Sequence, residues 1–186
     1  MTTWHDMPII HAANYTVANR KSVDLIVLHS MESPEKPGTA RNVAKWFAGE
    51  TAPQASCHYC VDPSETICCV LDEEIAWHAP GVNSRAIGIE HAGRAAQSKA
   101  EWDDDDSMAT LLRSIDLCEA LCRKWSIPAI LALSAPLPTD GVWRGITTHA
   151  LVSKAFPGKG DHWDPGPNFP LDWYIGRVKS RIAFDH

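Results

Sequence analysis

The chain lacks two features that define whole classes of protein. No apolar run approaches the roughly 20 residues that a membrane-spanning helix needs, so we expect no membrane partner. Basic residues are not in excess either: 17 lysines and arginines stand against 23 aspartates and glutamates, which gives a net charge of −6. Because proteins that bind nucleic acids usually carry a basic face, we expect no nucleic-acid partner.

The N-terminal segment, MTTWHDMPIIHAANYTV, has no basic stretch followed by an apolar core, and it therefore does not look like a secretory signal. We expect the chain to be made in a cytosol. Neither an internal repeat nor a linker is visible in the sequence. The 186 residues suit one domain that spans residues 1–186, with its core at about residues 20–183.

Several segments have the residue patterns of strands and helices. Short apolar runs predict strands at residues 23–28, 57–61, 66–71, 86–91 and 145–148. Apolar residues at helical spacing predict helices that begin at Thr39, at an N-cap on Ser107 and near Leu171, where Trp173 and Tyr174 should face inward. Residues 129–140 read as irregular. This order of elements indicates one α/β domain with a mixed central β-sheet flanked by helices.

Six cysteines are present, but without a secretory signal a disulfide framework is not expected. Cys57, Cys60, Cys68 and Cys69 are close enough in sequence to suggest a structural zinc site. Residues 57 and 60 should point to opposite faces of one strand, however, as should residues 68 and 69. We therefore predict buried, reduced thiols, with Cys60 roughly opposite Cys69 across a hairpin.

Two of the nine histidines stand at predicted strand ends, where sites gather in open α/β sheets. These are His29 and His149, while Asp164 lies further along in an Asp-Pro-Gly-Pro turn. Two imidazoles and a carboxylate form a catalytic zinc set that leaves one position for water. Each of the three residues has an equally ordinary structural role, and no compact zinc motif such as H-E-x-x-H is present.

Two further residues could take part in chemistry at such a site. Glu90 shares one face of its predicted strand with Gly88, which leaves room for a ligand or another backbone. It is a candidate general base, or else a solvent-facing strand residue. His162 precedes Asp164 by two residues and projects to the same side of an extended segment. It is a candidate for stabilising an oxyanion, or else a loop histidine without a role.

Six short motifs carry a resemblance to a known family, and they occur in the family order across roughly residues 23–175. They are Ile26-Val27-Leu28-His29-Ser30, Ser56-Cys57-His58-Tyr59, Ala76-Trp77-His78-Ala79, Asn83-Ser84-Arg85-Ala86-Ile87-Gly88-Ile89-Glu90, Thr148-His149 and Asp164-Pro165-Gly166-Pro167. In these motifs the chain resembles the zinc-dependent N-acetylmuramoyl-L-alanine amidases of the type-2 amidase and peptidoglycan-recognition-protein superfamily.

The resemblance implies a mixed β-sheet with one zinc ion in a surface groove, held by His29, His149 and Asp164. Glu90 matches the catalytic glutamate of the muropeptide-recycling and phage members. His162 stands where many relatives have a lysine. The substrate implied is peptidoglycan, cut at the amide between N-acetylmuramic acid and L-alanine.

Four more residues are implied as contacts for the glycan strand or the stem peptide: His58, Trp77, His78 and Asn83. The most favoured context is a phage endolysin, made in the host cytoplasm and acting on the cell wall after release. Two alternatives stay open, a cytosolic muropeptide-recycling amidase and a non-catalytic module that binds peptidoglycan.

Overall fold

The structure, a computed structural model, describes residues 7–134 and 142–183 of the chain. In these ranges its strands are β1 (Tyr15–Thr16), β2 (Leu25–Ser30), β3 (Tyr59–Val61), β4 (Thr66–Cys68), β5 (Ile75–Ala76), β6 (Ala86–His91) and β7 (Gly145–Thr148). Its α-helices are α1 (Thr39–Ala48), α2 (Lys99–Trp102), α3 (Asp105–Trp125), α4 (His149–Ala155) and α5 (Leu171–Ala183). A 3-10 turn at Asn83–Arg85 leads directly into β6.

Five of the strands form one sheet in the order β4-β3-β6-β2-β7. β2 pairs in parallel with β6 on one side and with β7 on the other, and β3 pairs in parallel with β6. β4 alone in this sheet runs antiparallel, to β3. The mixed central sheet flanked by helices confirms the predicted fold class.

The composition of β2 explains why it lies in the middle of this sheet. All six of its residues are buried, as a parallel strand covered on both faces requires. Ile26 and Leu28 pack in the core cluster beneath α3 and α5. Leu25 and Val27 pack on the opposite face, in a cluster that includes Val152 of α4. The strand that carries His29 is therefore held in place by apolar packing on both faces of the sheet.

Most predicted elements are present, with several corrections. β3 begins at Tyr59 rather than at residue 57, and β4 ends at Cys68 rather than at residue 71. β2 ends at Ser30 rather than at residue 28, so His29 lies inside the strand. The N-cap of α3 is Asp104, whose carboxylate accepts a hydrogen bond from the Ser107 backbone N–H at 2.8 Å. Ser107 itself lies within the first turn. Trp173 is 37% exposed, whereas Tyr174 faces the core as predicted.

Some predictions extend past the described ranges. Of the segment expected to be irregular, residues 135–140 lie outside them, and Leu131 within it forms a parallel bridge with Ile146. The domain bounds of 1–186 stay a prediction for the same reason. Among the described residues no helix has the length and apolar character that crossing a membrane would take.

All six cysteines are buried, as predicted, and none is joined in a disulfide. Cys60 lies opposite Ile67 in the register, and its sulfur is 3.8 Å from that of Cys69, its diagonal neighbour. Cys57 and Cys60 share one core cluster beneath α1. The expectation that they face opposite sides is wrong, because β3 begins only at Tyr59 and Cys57 precedes it.

Candidate active site

Parallel strands bring three candidate residues to one edge of the sheet. His29, near the end of β2, is the register partner of Glu90 in β6. On the other side of β2 the strand β7 ends at Thr148, whose side chain caps α4 by accepting a hydrogen bond from the Leu151 backbone N–H at 3.3 Å. His149 is the first residue of that helix and therefore lies at the same edge.

Asp164 reaches this edge from the loop between α4 and α5. Its carbonyl oxygen accepts a hydrogen bond from the Ala150 backbone N–H at 3.0 Å, which fixes the loop against the start of α4. Gly166 follows with φ of +95°, and a Cβ there would lie 1.9 Å from the Ala95 carbonyl oxygen. Only glycine fits so close an approach, so the turn after Asp164 packs directly against the backbone of Ala95.

His29, His149 and Asp164 together form a group that can hold a metal ion. Each offers one ligand atom, and these atoms lie within 4.8 Å of one another. The Nδ1 atoms of His29 and His149 are 3.0 and 3.1 Å from the two carboxylate oxygens of Asp164. Two imidazole nitrogens and one carboxylate suit a catalytic zinc site, so the donor set fits the ion that the motifs imply.

The electrostatics at Asp164 and His29 favour the protonation states that a metal requires, a carboxylate and a neutral imidazole. Burial opposes ionisation of Asp164, but the hydrogen bonds from His149 and His29 outweigh it and lower the pKa of the carboxyl group. Burial also lowers the pKa of His29, although the neighbouring Asp164 partly offsets this effect.

Glu90 lies beside this group with one oxygen unused. Its Oε2 atom is buried and has no hydrogen-bond partner. Burial raises the pKa of Glu90 well above its usual value, and the negative charges of Asp164 and Glu32 add to the effect. A carboxyl group with a raised pKa and a free oxygen is suited to accept and return a proton.

His162 lies at the solvent-exposed rim. Its ring stacks on His149 with centroids 3.9 Å apart and an angle of 14° between the planes. Its Nδ1 atom is 3.9 Å from an Asp164 oxygen, and its backbone N–H donates to the Ser153 hydroxyl at 3.1 Å. Burial and the neighbouring His149 lower the pKa of His162. An exposed ring here can reach a molecule held beside Asp164.

Two of the four residues expected to contact glycan or stem peptide are enclosed instead. His58 is 0% exposed and its Nδ1 atom accepts a hydrogen bond from the Gly88 backbone N–H at 3.1 Å. His78 is 8% exposed and lies against His29. Both residues therefore offer little side-chain surface for direct substrate contact, a property that polar residue type alone does not reveal. Cys57 and the His78 ring also fill the space beside Gly88 that was expected to admit a ligand.

The other two have different surroundings. Asn83 accepts hydrogen bonds from the backbone N–H groups of His78 and Ala79, at 3.1 and 2.7 Å, and so supports the turn before β6. Trp77 is exposed, and its indole N–H donates to Thr16 at 2.9 Å. Trp163, which the motifs did not single out, is 56% exposed between His162 and Asp164. The sequence signal for it is a tryptophan within an otherwise polar loop.

The fold and this arrangement of residues define a class of enzyme. The Amidase_2 family model, described as N-acetylmuramoyl-L-alanine amidase, matches residues 19–167, and the chain belongs to this family. The N-acetylmuramoyl-L-alanine amidase A of Achromobacter lyticus is 29% identical over 177 residues, covering 91% of this chain and 90% of that protein. These matches support N-acetylmuramoyl-L-alanine amidase activity, a hydrolase acting on peptidoglycan, as the motifs predicted.

Solved structures share the fold. The Staphylococcus aureus hydrolase AmiA, crystallised with its ligand, superposes with a TM-score of 0.71 at 17% identity, over 97% of this chain and 84% of that one. LysCS, an endolysin N-acetylmuramoyl-L-alanine amidase from Clostridium intestinale URNW, gives a TM-score of 0.56 at 20% identity, over 92% and 96% of the two chains.

Proposed function

We propose that the protein is a zinc-dependent amidase that hydrolyses the amide between N-acetylmuramic acid and L-alanine of the stem peptide. The observation that carries this proposal is the convergence of the ligand atoms of His29, His149 and Asp164 beside the unsatisfied Oε2 atom of Glu90. These three residues would hold one zinc ion per chain, the histidines through ring nitrogens and the aspartate through a carboxylate oxygen.

Zinc bound there would supply a Lewis acid for the amide carbonyl and would lower the pKa of a water molecule. Glu90 takes a proton from the attacking water at its free oxygen and gives it to the alanine nitrogen as the C–N bond breaks. The raised pKa of Glu90 suits a group that must keep this proton between the two events.

His162 assists from the rim of the site. Its ring donates a hydrogen bond to the carbonyl oxygen as negative charge develops there. Because the pKa of His162 is lowered, the ring is neutral at physiological pH and donates through one N–H. Trp77 remains the proposed contact for the glycan strand or stem peptide, since its indole ring is exposed.

The test is digestion of purified peptidoglycan by the protein, with and without a chelator, followed by mass spectrometry of the new termini. We expect free muramic acid carboxyl groups and stem peptides that begin with L-alanine, and we expect them to disappear with the chelator and return with added zinc. Binding without new termini would instead indicate a non-catalytic peptidoglycan-binding module. Full cleavage in the chelator would contradict the zinc requirement.

As the biological context we propose a phage endolysin, made in the host cytoplasm and acting on the cell wall after release. LysCS, an endolysin, shares the fold of this chain, and the choice between this context and a recycling amidase rests on the substrate that the protein cleaves. Rates on intact sacculi and on soluble muropeptides separate it from a recycling amidase. We expect comparable or faster cleavage of sacculi, whereas cleavage confined to soluble fragments would favour recycling.

A further inference from the structure

The ring of His78 lies against the edge of the His29 ring that points away from Asp164. The Nδ1 atom of His78 is 3.1 Å from the Nε2 atom of His29, and the two ring planes are 85° apart. The Nδ1 atom of His29 is 3.0 Å from Asp164 on the opposite side. Both nitrogens of His29 are therefore engaged, one within the candidate ligand set and one with His78.

The surrounding backbone fixes His78 in this place. Asn83 accepts hydrogen bonds from the backbone N–H groups of His78 and Ala79. Ser56 holds the preceding residue, since its hydroxyl accepts from the Trp77 backbone N–H at 2.9 Å. A Cβ on Gly88 would lie 2.7 Å from the His78 ring. The glycine therefore provides the space that the ring occupies.

The chemistry of imidazole indicates which of the two rings donates the hydrogen bond and which accepts it. A neutral histidine that offers Nδ1 to a metal ion keeps its single proton on Nε2. In His29 that proton faces the Nδ1 atom of His78, which is then the acceptor. Partners of this kind fix the tautomer and orientation of a metal-binding histidine, and their loss typically lowers metal affinity roughly 10- to 100-fold.

We propose that His78 is a positioning residue, which accepts a hydrogen bond from the Nε2–H group of His29 and so holds that ligand in the tautomer that binds zinc. The inference rests on the proposed function only in requiring that His29 binds zinc. It gives the Trp-His-Ala motif a role within the protein, in place of the substrate contact expected from the sequence.

The test compares two variants of equal size, His78→Asn and His78→Leu. The side-chain oxygen of asparagine can accept the hydrogen bond near the position of Nδ1, whereas leucine cannot. Zinc affinity is measured by competition with a chromophoric chelator. We expect the leucine variant to lose roughly 10- to 100-fold and the asparagine variant to keep most of the affinity. His58→Asn is the control and should keep the zinc affinity, since His58 is also buried but has no hydrogen bond to His29, His149 or Asp164.

Equal zinc affinity in a folded leucine variant and in the wild type would overturn the inference, while the proposed function would stand. A wild type that binds no zinc would overturn the proposed function itself. A measurement on the zinc-loaded wild type needs no variant: nitrogen-15 NMR of the imidazoles should place the His29 proton on Nε2 and leave Nδ1 of His78 unprotonated. A proton on Nδ1 of His78 would contradict the inference.

Discussion

The candidate active site and a second polar cluster differ in how completely their hydrogen bonds are satisfied. The second cluster surrounds Arg20 and Asp72, and we call it the Arg20–Asp72 cluster. Arg20 donates to the Asp72 carbonyl oxygen at 2.7 and 3.0 Å and to the Ala86 carbonyl oxygen at 2.8 Å. The Asp72 carboxylate accepts from Tyr59 at 2.5 Å, Lys124 at 2.9 Å and Trp125 at 3.3 Å.

In the candidate active site, by contrast, buried polar atoms lack partners. Glu90 Oε2, His149 Nε2 and His78 Nε2 are all buried without a hydrogen bond. Leaving such atoms unsatisfied costs stability. The Oε2 atom of Glu90 is the one of these that lies beside the candidate ligand group, where a water molecule or a substrate can bond to it. The Arg20–Asp72 cluster therefore serves the fold, whereas the convergence of His29, His149 and Asp164 suits the candidate site to a metal ion.

The largest effect is expected from removing a ligand. Asp164→Asn takes away the negative charge that the two histidines share, so zinc binding and peptidoglycan cleavage should both disappear. The measurements are metal content after dialysis and release of stem peptide. An active variant with bound zinc would remove Asp164 from the ligand set and contradict the role of the candidate site in metal binding.

Glu90→Gln should lower kcat by roughly 10²- to 10⁴-fold, the usual contribution of a general base. Zinc content should not change, because Glu90 lies beside the ligand group rather than within it. Steady-state kinetics and metal analysis on the same preparation check both expectations. Retained turnover would exclude Glu90 from proton transfer.

Arg20→Lys should act on the fold instead. Lysine cannot reach all the acceptors that Arg20 serves, and a loss of about 3 kcal/mol in the free energy of unfolding is expected for several charged hydrogen bonds. Urea denaturation measures it. Arg41→Lys is the control, because Arg41 makes a partly exposed ion pair with Glu65 and should change stability by less than about 1 kcal/mol. An equal effect of the two substitutions would contradict the structural role of Arg20.

Stability should also fall with acid because of His58. Burial and the nearby positive charge of Arg20 lower the pKa of His58 to about 3, whereas an unfolded histidine titrates near 6.5. Between these values only the unfolded state binds the proton, so stability is complete above pH 6.5 and falls as the pH drops towards 3, by about 1.4 kcal/mol per pH unit.

Urea denaturation of metal-free protein between pH 7 and pH 5 measures this slope. His58→Asn removes the titrating group and should reduce the slope by about that amount. An unchanged slope in a folded variant would show that His58 does not titrate in this way.

The smallest effect concerns the start of α3. Asp104→Ala removes the N-cap hydrogen bond to Ser107 and should cost about 1 kcal/mol. Asp103→Ala, one residue earlier and outside the cap, is the matched control. Thermal unfolding of both variants tests the assignment, and equal midpoints would favour the sequence-based N-cap at Ser107 instead.

The sequence predicts the fold well where apolar patterns are continuous. α1 begins at Thr39 and β6 covers residues 86–91 as predicted, because both have strong periodicity and clear boundaries. The prediction of the N-cap of α3 is wrong, because the sequence favours Ser107 and the structure places the cap at Asp104. The predicted end of β2 is also wrong, since a polar His29 at the end of an apolar run suggests a strand boundary when it is in fact buried within the strand.

For the candidate site, the sequence and family motifs single out His29, His149, Asp164 and Glu90 at positions that the fold brings together. The surroundings of these residues are not predictable in the same way. The contact between His29 and His78 joins residues 49 positions apart. It depends on the parallel pairing of β2 with β6 and on the space beside Gly88, neither of which residue type alone specifies.

The most direct test of the account is a zinc titration of the metal-free protein, followed through the release of stem peptides from peptidoglycan. We predict that activity rises in proportion to added zinc, reaches its maximum at one ion per chain, and is absent at every zinc concentration in Asp164→Asn. Full activity of the wild type before any zinc is added would contradict the claim that these three side chains form a catalytic metal site.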